Sequence, residues 1–163
     1  MNPLRPIFIA IALSLAAIAP PATAQDFQKG VDAYNRGNYA AALREWRPLA
    51  EQGNASAQYN LGFMYSNGRG VPEDDTEAVR WYRLAAEQGD AKAQTNLGIM
   101  YANGRGVPED LVAAYMWWNL SAAQGIEKAK NNKDIVAKLM TREQIAEAQR
   151  LSRECLARNY KGC

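Results

Sequence analysis

The stretch AQYNLGFMYSNGRGVPED, residues 57–74, returns 36 residues later as AQTNLGIMYANGRGVPED, residues 93–110. The same offset relates Trp81 to Trp117. Self-similarity at a fixed period of roughly 20–50 residues is the sequence signature of a repeat architecture. The sequence therefore predicts a chain of stacked, related units.

Each unit is predicted to form two helices separated by a glycine-rich turn. Ala57, Leu61 and Met64 recur at helical spacing and form an apolar stripe. Gly68 suits the left-handed backbone that commonly ends a helix, and Pro72 prevents the helix from continuing. Acidic residues then precede the second helix, where they complement the positive end of its dipole. The pattern indicates antiparallel helix hairpins.

Gly62 and Gly98 fall inside first helices, where glycine costs roughly 1 kcal/mol relative to alanine. Its repetition at equivalent positions predicts that a partner helix approaches too closely to admit a side chain. Ala78 and Ala114 are the predicted small partners on the second helices.

The tryptophans are predicted to belong to the core. Trp46, Trp81 and Trp117 are assigned to equivalent inward positions on successive second helices, where they pack against the neighbouring hairpin. Trp118 stands beside Trp117, and a functional role for it is left open.

The repeated motif resembles the Sel-one-like repeat (SLR), a branch of the tetratricopeptide-like solenoids, in an exported bacterial form. Residues 55–125 carry A-x-x-x-L-G-x-x-Y-x-x-G-x-G-V-x-x-D twice. The resemblance implies an all-α fold, a right-handed solenoid of antiparallel helix hairpins with a C-terminal capping helix pair. Hairpins are expected at about 26–52, 55–89 and 91–125, and capping helices at about 127–159, with a capping box at Thr141 and Gln144.

The N-terminus has the pattern of a signal peptide. Arg5 precedes an apolar stretch at 7–19, and Ala22-Thr23-Ala24 provides the small residues that a signal peptidase requires. We expect residues 1–24 to be removed and the mature chain to reach the periplasm, with secretion as an alternative. A membrane anchor is the other interpretation of the apolar stretch; the mature chain is not expected to insert into a membrane.

Export makes a disulfide between Cys155 and Cys163 the favoured interpretation, because exported proteins fold in oxidising compartments. A redox-active pair is the alternative, but the C-x-x-C spacing typical of such pairs is absent.

Composition argues against two classes of function. A formal net charge of +2 without a basic run does not favour nucleic-acid binding. The chain has no histidine, the commonest general base and metal ligand, so we expect neither an enzyme nor a cofactor or metal. The carboxylates at 73–75 and 109–110 are interpreted as helix N-terminal charges, with acid–base chemistry as the alternative.

The resemblance also implies that first helices line a concave wall that binds protein or peptide. Asn60 and Asn96 fall where some peptide-binding relatives hold ligand backbone with asparagine; an inter-helix hydrogen bond is the alternative. The wall aromatics have packing between repeats as their alternative role. The predicted wall comprises Phe27, Val31, Tyr34, Asn35, Tyr59, Asn60, Phe63, Ser66, Asn67, Thr95, Asn96, Ile99 and Asn103.

Three functions are therefore carried forward. The leading one is a periplasmic or secreted interaction module acting as scaffold, adaptor or regulator. The second is an enzyme or binding protein for peptidoglycan or β-lactam ligands. Relatives linked to penicillin binding carry a cysteine pair in each repeat, which this sequence lacks. The third is a structural subunit of an oligomer.

Overall fold

The computed structural model describes residues 22–163 as eight α-helices and one short 3-10 helix. The helices are α1 Ala22–Asn35, α2 Tyr39–Glu51, α3 Ala55–Ser66, α4 Asp75–Ala86, α5 Ala91–Ala102, α6 Leu111–Ala123, α7 Glu127–Val136 and α8 Arg142–Ala157, with the 3-10 helix Ala137–Leu139 between α7 and α8. Apart from residues 22–24, the predicted signal peptide lies outside this range. Among the described helices, none is long and apolar enough to cross a membrane.

The helices pack in sequence order. The pairs α1–α2, α3–α4 and α5–α6 form hairpins, and α2 contacts α3 as α4 contacts α5. At the C-terminal end α6 contacts both α7 and α8. The predicted helical solenoid with a terminal capping pair is confirmed.

Asparagine and aspartate begin the helices of the repeats. The side chains of Asn38, Asn54, Asp74, Asp90 and Asp110 each accept a hydrogen bond from the backbone N–H three residues on. These bonds satisfy N–H groups that have no partner within the helix, and each contributes about 1 kcal/mol. The predicted capping box at the start of α8 is also present.

Aromatic rings cover the helical glycines. A Cβ atom added at Gly98 would lie 2.6 Å from Trp118 Nε1, and one added at Gly62 would lie 2.6 Å from Tyr82 Cδ1. Gly30 meets Trp46 in the same way. The prediction of Ala78 and Ala114 as partners is therefore wrong: the space left by each glycine is filled by a ring from the second helix.

This contact corrects the predicted alignment of the tryptophans. Trp46 is equivalent to Tyr82 and Trp118, because all three cover a glycine of the first helix. Trp81 and Trp117 are buried at the preceding position of their helices. Trp118, whose role was left open, is a core residue with 5% of its surface exposed.

Two buried glutamines join successive hairpins. The Gln94 amide nitrogen donates to the backbone oxygen of Ala86 at 3.2 Å, and its oxygen accepts from Gln124 at 2.8 Å. Gln58 makes the equivalent pair of bonds one repeat earlier. Because an unpaired buried amide is costly, these bonds fix the register between hairpins.

The C-terminal tail is tied back to the last helix. Cys155 and Cys163 form the predicted disulfide. Cys155 is fully buried, and the Tyr160 ring lies against the turn at Gly89, where an added Cβ would be 3.1 Å from Tyr160 Cε2. The bridge therefore holds the tail over the junction between α4 and α5.

Candidate binding groove

Four adjoining cavities form one groove along the helices α1, α3, α5 and α7. They are numbered here from the N-terminal end of the chain. The first and second cavities share the lining residues Tyr59 and Asn60. Phe63 lines both the first and the third, and Ile99 and Lys128 line both the third and the fourth. We call the first the aromatic cleft, the third the central cleft and the fourth the C-terminal cleft.

The wall of this groove curves inward. Phe27 on α1 and Ile126, just before α7, line the same cavity of about 350 Å³, together with residues of α3 and α5. The first described helix and the turn after the third hairpin therefore border one space. A solenoid presents such a surface on its concave side.

The aromatic cleft has a volume of about 280 Å³ and is lined by Val31, Tyr34, Trp46, Tyr59, Asn60 and Phe63. Its rings are packed together before any ligand binds. The Tyr34 centroid lies 5.7 Å from that of Trp46 and 6.5 Å from that of Phe63, and Trp46 Nε1 donates to the backbone oxygen of Phe27 at 3.1 Å. A ligand would therefore meet a preformed apolar surface.

Arg69 closes one side of the aromatic cluster. Its guanidinium carbon lies 5.5 Å from the Tyr34 centroid, 5.4 Å from that of Tyr39 and 5.6 Å from that of Phe63. It also donates a hydrogen bond to the Tyr34 hydroxyl. These cation–π contacts orient Tyr34 and Phe63 from the glycine-rich loop.

Asparagines on α3, α5 and α7 occupy equivalent positions along the groove. Asn60 lines the aromatic cleft and Asn96 the central cleft, as the sequence predicts for the wall. A third, Asn132 on α7, lines the C-terminal cleft. Each follows the previous one by 36 residues and is partly exposed.

The hydroxyl groups beside Asn96 remain neutral at physiological pH. Burial raises the pKa of Tyr82 to about 12, while hydrogen bonding with Ser66 and Asn96 acts in the opposite direction. Burial also raises the pKa of Tyr59. This part of the groove therefore offers hydroxyl and amide groups rather than tyrosinate charge.

The charged side chains of the groove are mainly basic. Asp90 and Lys92 line the cavity beside Phe27, and Arg105 and Lys128 line the central cleft. Arg105 is already paired with Asp75, with a shortest N–O distance of 2.7 Å. Lys128 is exposed at the border between the central and C-terminal clefts.

Most of the predicted wall residues line this groove. Those that do are Phe27, Val31, Tyr34, Tyr59, Asn60, Phe63, Ser66, Asn67, Asn96, Ile99 and Asn103. Thr95 does not: it is 4% exposed, and its hydroxyl lies 2.7 Å from Ser121 Oγ. Asn35 is exposed at the end of α1 and lines none of the four cavities.

The sequence interpretation missed the contribution of α7. Lys128, Asn132 and Ile135 of α7 line the C-terminal cleft, together with Leu139 of the 3-10 helix that follows. Asn132 lies 36 residues after Asn96, as Asn96 lies 36 residues after Asn60, but the residues around Asn132 no longer match the repeat motif.

The clustered carboxylates have structural partners. Asp74 and Asp110 begin α4 and α6 as N-caps. Asp75 and Glu73 bind Arg105, and hydrogen bonding to Asp75 raises the pKa of that arginine. Within residues 22–163, no group of three or more His, Cys, Asp or Glu side chains is placed to hold a metal ion.

Comparison with known proteins gives matches that centre on the repeats. The Sel1 repeat profile matches residues 55–90 and 91–126. The crystal structure of a Sel1 repeat protein from Oxalobacter formigenes is similar, with 39% identity and a TM-score of 0.64, over 69% of this chain and 88% of that one.

Two further relatives are larger than this chain. A protective antigen of uropathogenic Escherichia coli strains, whose structure displays an SLR fold, is 29% identical with a TM-score of 0.81, over 86% of this chain and 31% of that one. The DAP3-binding cell death enhancer 1 of Rattus norvegicus is 42% identical over 50 residues, which are 31% of this chain and 10% of that protein. The chain thus matches only a small part of each.

Proposed function

The chain belongs to the Sel1 repeat family, whose members are protein-interaction scaffolds, and from this we propose that it binds an extended segment of another protein along the groove. The observation that carries the proposal is the combination of a packed aromatic cleft with asparagines 60, 96 and 132 along one continuous surface. The role is that of a scaffold, adaptor or regulator.

The spacing of the asparagines suits a peptide backbone. A side-chain amide offers both donors and an acceptor, and a backbone offers an N–H and a C=O at every residue other than proline. An extended segment that crosses α3, α5 and α7 meets one of these amides on each helix. Asparagines on this wall therefore bind a segment largely independently of its sequence.

The aromatic cleft provides the specificity and most of the affinity. Its rings are held by Arg69 and by the packing of Tyr34 on Trp46, so little side-chain entropy is lost on binding. Buried aromatic clusters of this kind dominate protein interfaces. A bulky apolar residue of the partner is the expected occupant.

The cell-wall alternative has less support. It would use the acidic residues before α4 and α6, but Asp74 and Asp110 cap helices there and Asp75 is paired with Arg105. A carboxylate engaged in such contacts is a poor acid–base catalyst unless the ligand displaces its partner.

We place this function outside the cytoplasm. The predicted signal peptide and the Cys155–Cys163 bridge both support export. We expect the natively expressed chain to begin at Gln25, which N-terminal sequencing or the intact mass would detect. A chain that retains residues 1–24 in its native host would contradict this placement.

Site-specific photo-cross-linking tests the groove. A benzoylphenylalanine placed at position 60 in the native host is expected to give one discrete adduct with another protein. The same probe at Leu84, an exposed residue of α4 outside the groove, serves as the matched control. Phe63→Ala in the probe-bearing chain should reduce the adduct at position 60 strongly.

Three outcomes would contradict the proposal: equal adducts from both positions, no protein adduct from position 60, or adducts that survive Phe63→Ala unchanged. An adduct with the mass of two copies of the chain would instead favour an oligomer.

A further inference from the structure

The central cleft and the C-terminal cleft are equivalent cavities in successive repeats. Seven lining residues of the central cleft have counterparts 36 residues later, one repeat length, in the C-terminal cleft. The pairs are Phe63 and Ile99, Ser66 and Ala102, Asn67 and Asn103, Tyr82 and Trp118, Asn96 and Asn132, Ile99 and Ile135, and Met100 and Val136.

At the two earlier junctions between hairpins, an arginine from the chain's own glycine-rich loop borders the equivalent cleft. Arg69 lies over the rings of Tyr39 and Phe63 at the first junction. Arg105 at the second binds Asp75 and donates to the backbone oxygen of Ser66 at 3.3 Å. Both loops turn at their glycines and reach back to the preceding hairpin.

Glycines let these loops approach closely. A Cβ added at Gly70, whose φ is +74°, would lie only 2.8 Å from Tyr39 Cβ, so no side chain fits there. Gly106, with φ of +68°, packs in the same way against the backbone of Asp75. Tyr39 and Asp75 begin α2 and α4, so each loop docks on the start of the preceding second helix.

At the third junction no such loop follows within the described chain. The 3-10 helix Ala137–Leu139 leads directly into α8, and Leu111 stands in the place of Tyr39 and Asp75. The C-terminal cleft is larger, about 370 Å³ against about 250 Å³ for the central cleft. Ile135 and Leu139 beside it are 61% and 73% exposed.

We propose that the C-terminal cleft binds an extended segment of a partner protein, which takes the place of the missing loop. The segment carries a bulky aliphatic side chain where the earlier loops carry arginine, because Leu111, Trp118 and Leu139 offer an arginine neither a carboxylate nor an open aromatic face. It carries a carboxylate nearby, because Lys128 is the charged residue lining this cleft.

This inference rests on the proposed function and deepens it, because it specifies the occupant of the C-terminal cleft at one end of the same groove. The loops at the two earlier junctions indicate that the occupant is a peptide segment. The residues that line the third cleft indicate which side chains it carries. Either site can therefore fail its test without the other.

The chain's own loop provides the probe. We would titrate isotope-labelled protein with a synthetic octapeptide of residues 103–110 carrying Arg105→Leu, and with the unsubstituted octapeptide as control. The leucine peptide, which also ends in two acidic residues, is expected to bind at least about 10-fold more tightly, because burial of a leucine side chain favours it. The amide signals of Ile135 and Leu139 should shift.

Two variants locate the binding. Leu139→Asp should abolish the shifts, whereas Leu156→Asp, a 45% exposed position on α8, should leave them intact. Equal affinity for the two peptides, no binding of either at millimolar concentration, or shifts that persist in Leu139→Asp would overturn the proposal. A dimer in solution that Leu139→Asp dissociates would assign the cleft to a second copy and also overturn it.

Discussion

Replacing Trp118 with alanine is expected to lower the free energy of unfolding by about 3–5 kcal/mol. The indole is 5% exposed, fills the space above Gly98 and donates from Nε1 to the backbone oxygen of Thr95 at 3.0 Å. Its removal leaves a cavity inside the α5–α6 hairpin and removes the hydrogen bond to Thr95. Urea denaturation followed by circular dichroism measures the loss.

Leu156→Ala is the control for this substitution, because Leu156 is 45% exposed and should change stability by at most roughly 0.5 kcal/mol. A double-mutant cycle adds a sharper test. Gly98→Ala should destabilise the native chain, although alanine is the better helix former, and should do so much less in the Trp118→Ala background. Additive effects would mean that the ring does not depend on the glycine.

Loss of the disulfide is expected to lower the free energy of unfolding by roughly 2–3 kcal/mol, the amount that the entropy of closing so short a loop predicts. Cys163→Ser removes the bridge and releases the tail that lays Tyr160 on Gly89. Thermal unfolding with and without reductant measures the effect.

The reductant should lower the melting temperature of the native chain to about that of Cys163→Ser, and should leave the variant unchanged. A native chain that is insensitive to reductant, although its bridge is shown to be open, would contradict a stabilising role for the disulfide. Trp118→Ala and Cys163→Ser both lie outside the aromatic cleft, so peptide binding in that cleft checks that the rest of the fold is intact.

The repeat signal predicted the helical fold because spacing alone carries that information. The 36-residue offset, the glycines after each first helix and the capping residues all act locally, so the sequence contains their physical causes. The disulfide could be predicted for the same reason: two cysteines eight residues apart, in a chain predicted to be exported, leave few alternatives.

The side chains that pack against the helical glycines could not be predicted in this way. Ala78 and Tyr82 lie one helical turn apart on the same face of α4, so periodicity cannot decide which of them reaches Gly62. The alignment of Trp46 with Trp81 failed because it matched residue type, whereas the constant offset from Trp46 leads to Tyr82.

The groove was predictable in its aromatic half and less so elsewhere. Tyr59 and its counterpart Thr95 occupy equivalent positions, yet only the larger side chain reaches the groove, while the threonine hydroxyl binds Ser121 within the core. The C-terminal cleft was missed because α7 keeps the place of a first helix without its motif, and Asn132 is the main surviving trace.

The most direct test of the central claim is the affinity of the cross-linked partner segment, synthesised as a peptide and measured by calorimetry. We predict that Phe63→Ala and Tyr59→Ala each weaken its binding about 10-fold or more, as truncation of an interface hot spot does, while Leu84→Ala leaves the affinity unchanged. Equal affinities for all three variants and the native chain would contradict a binding site in the groove.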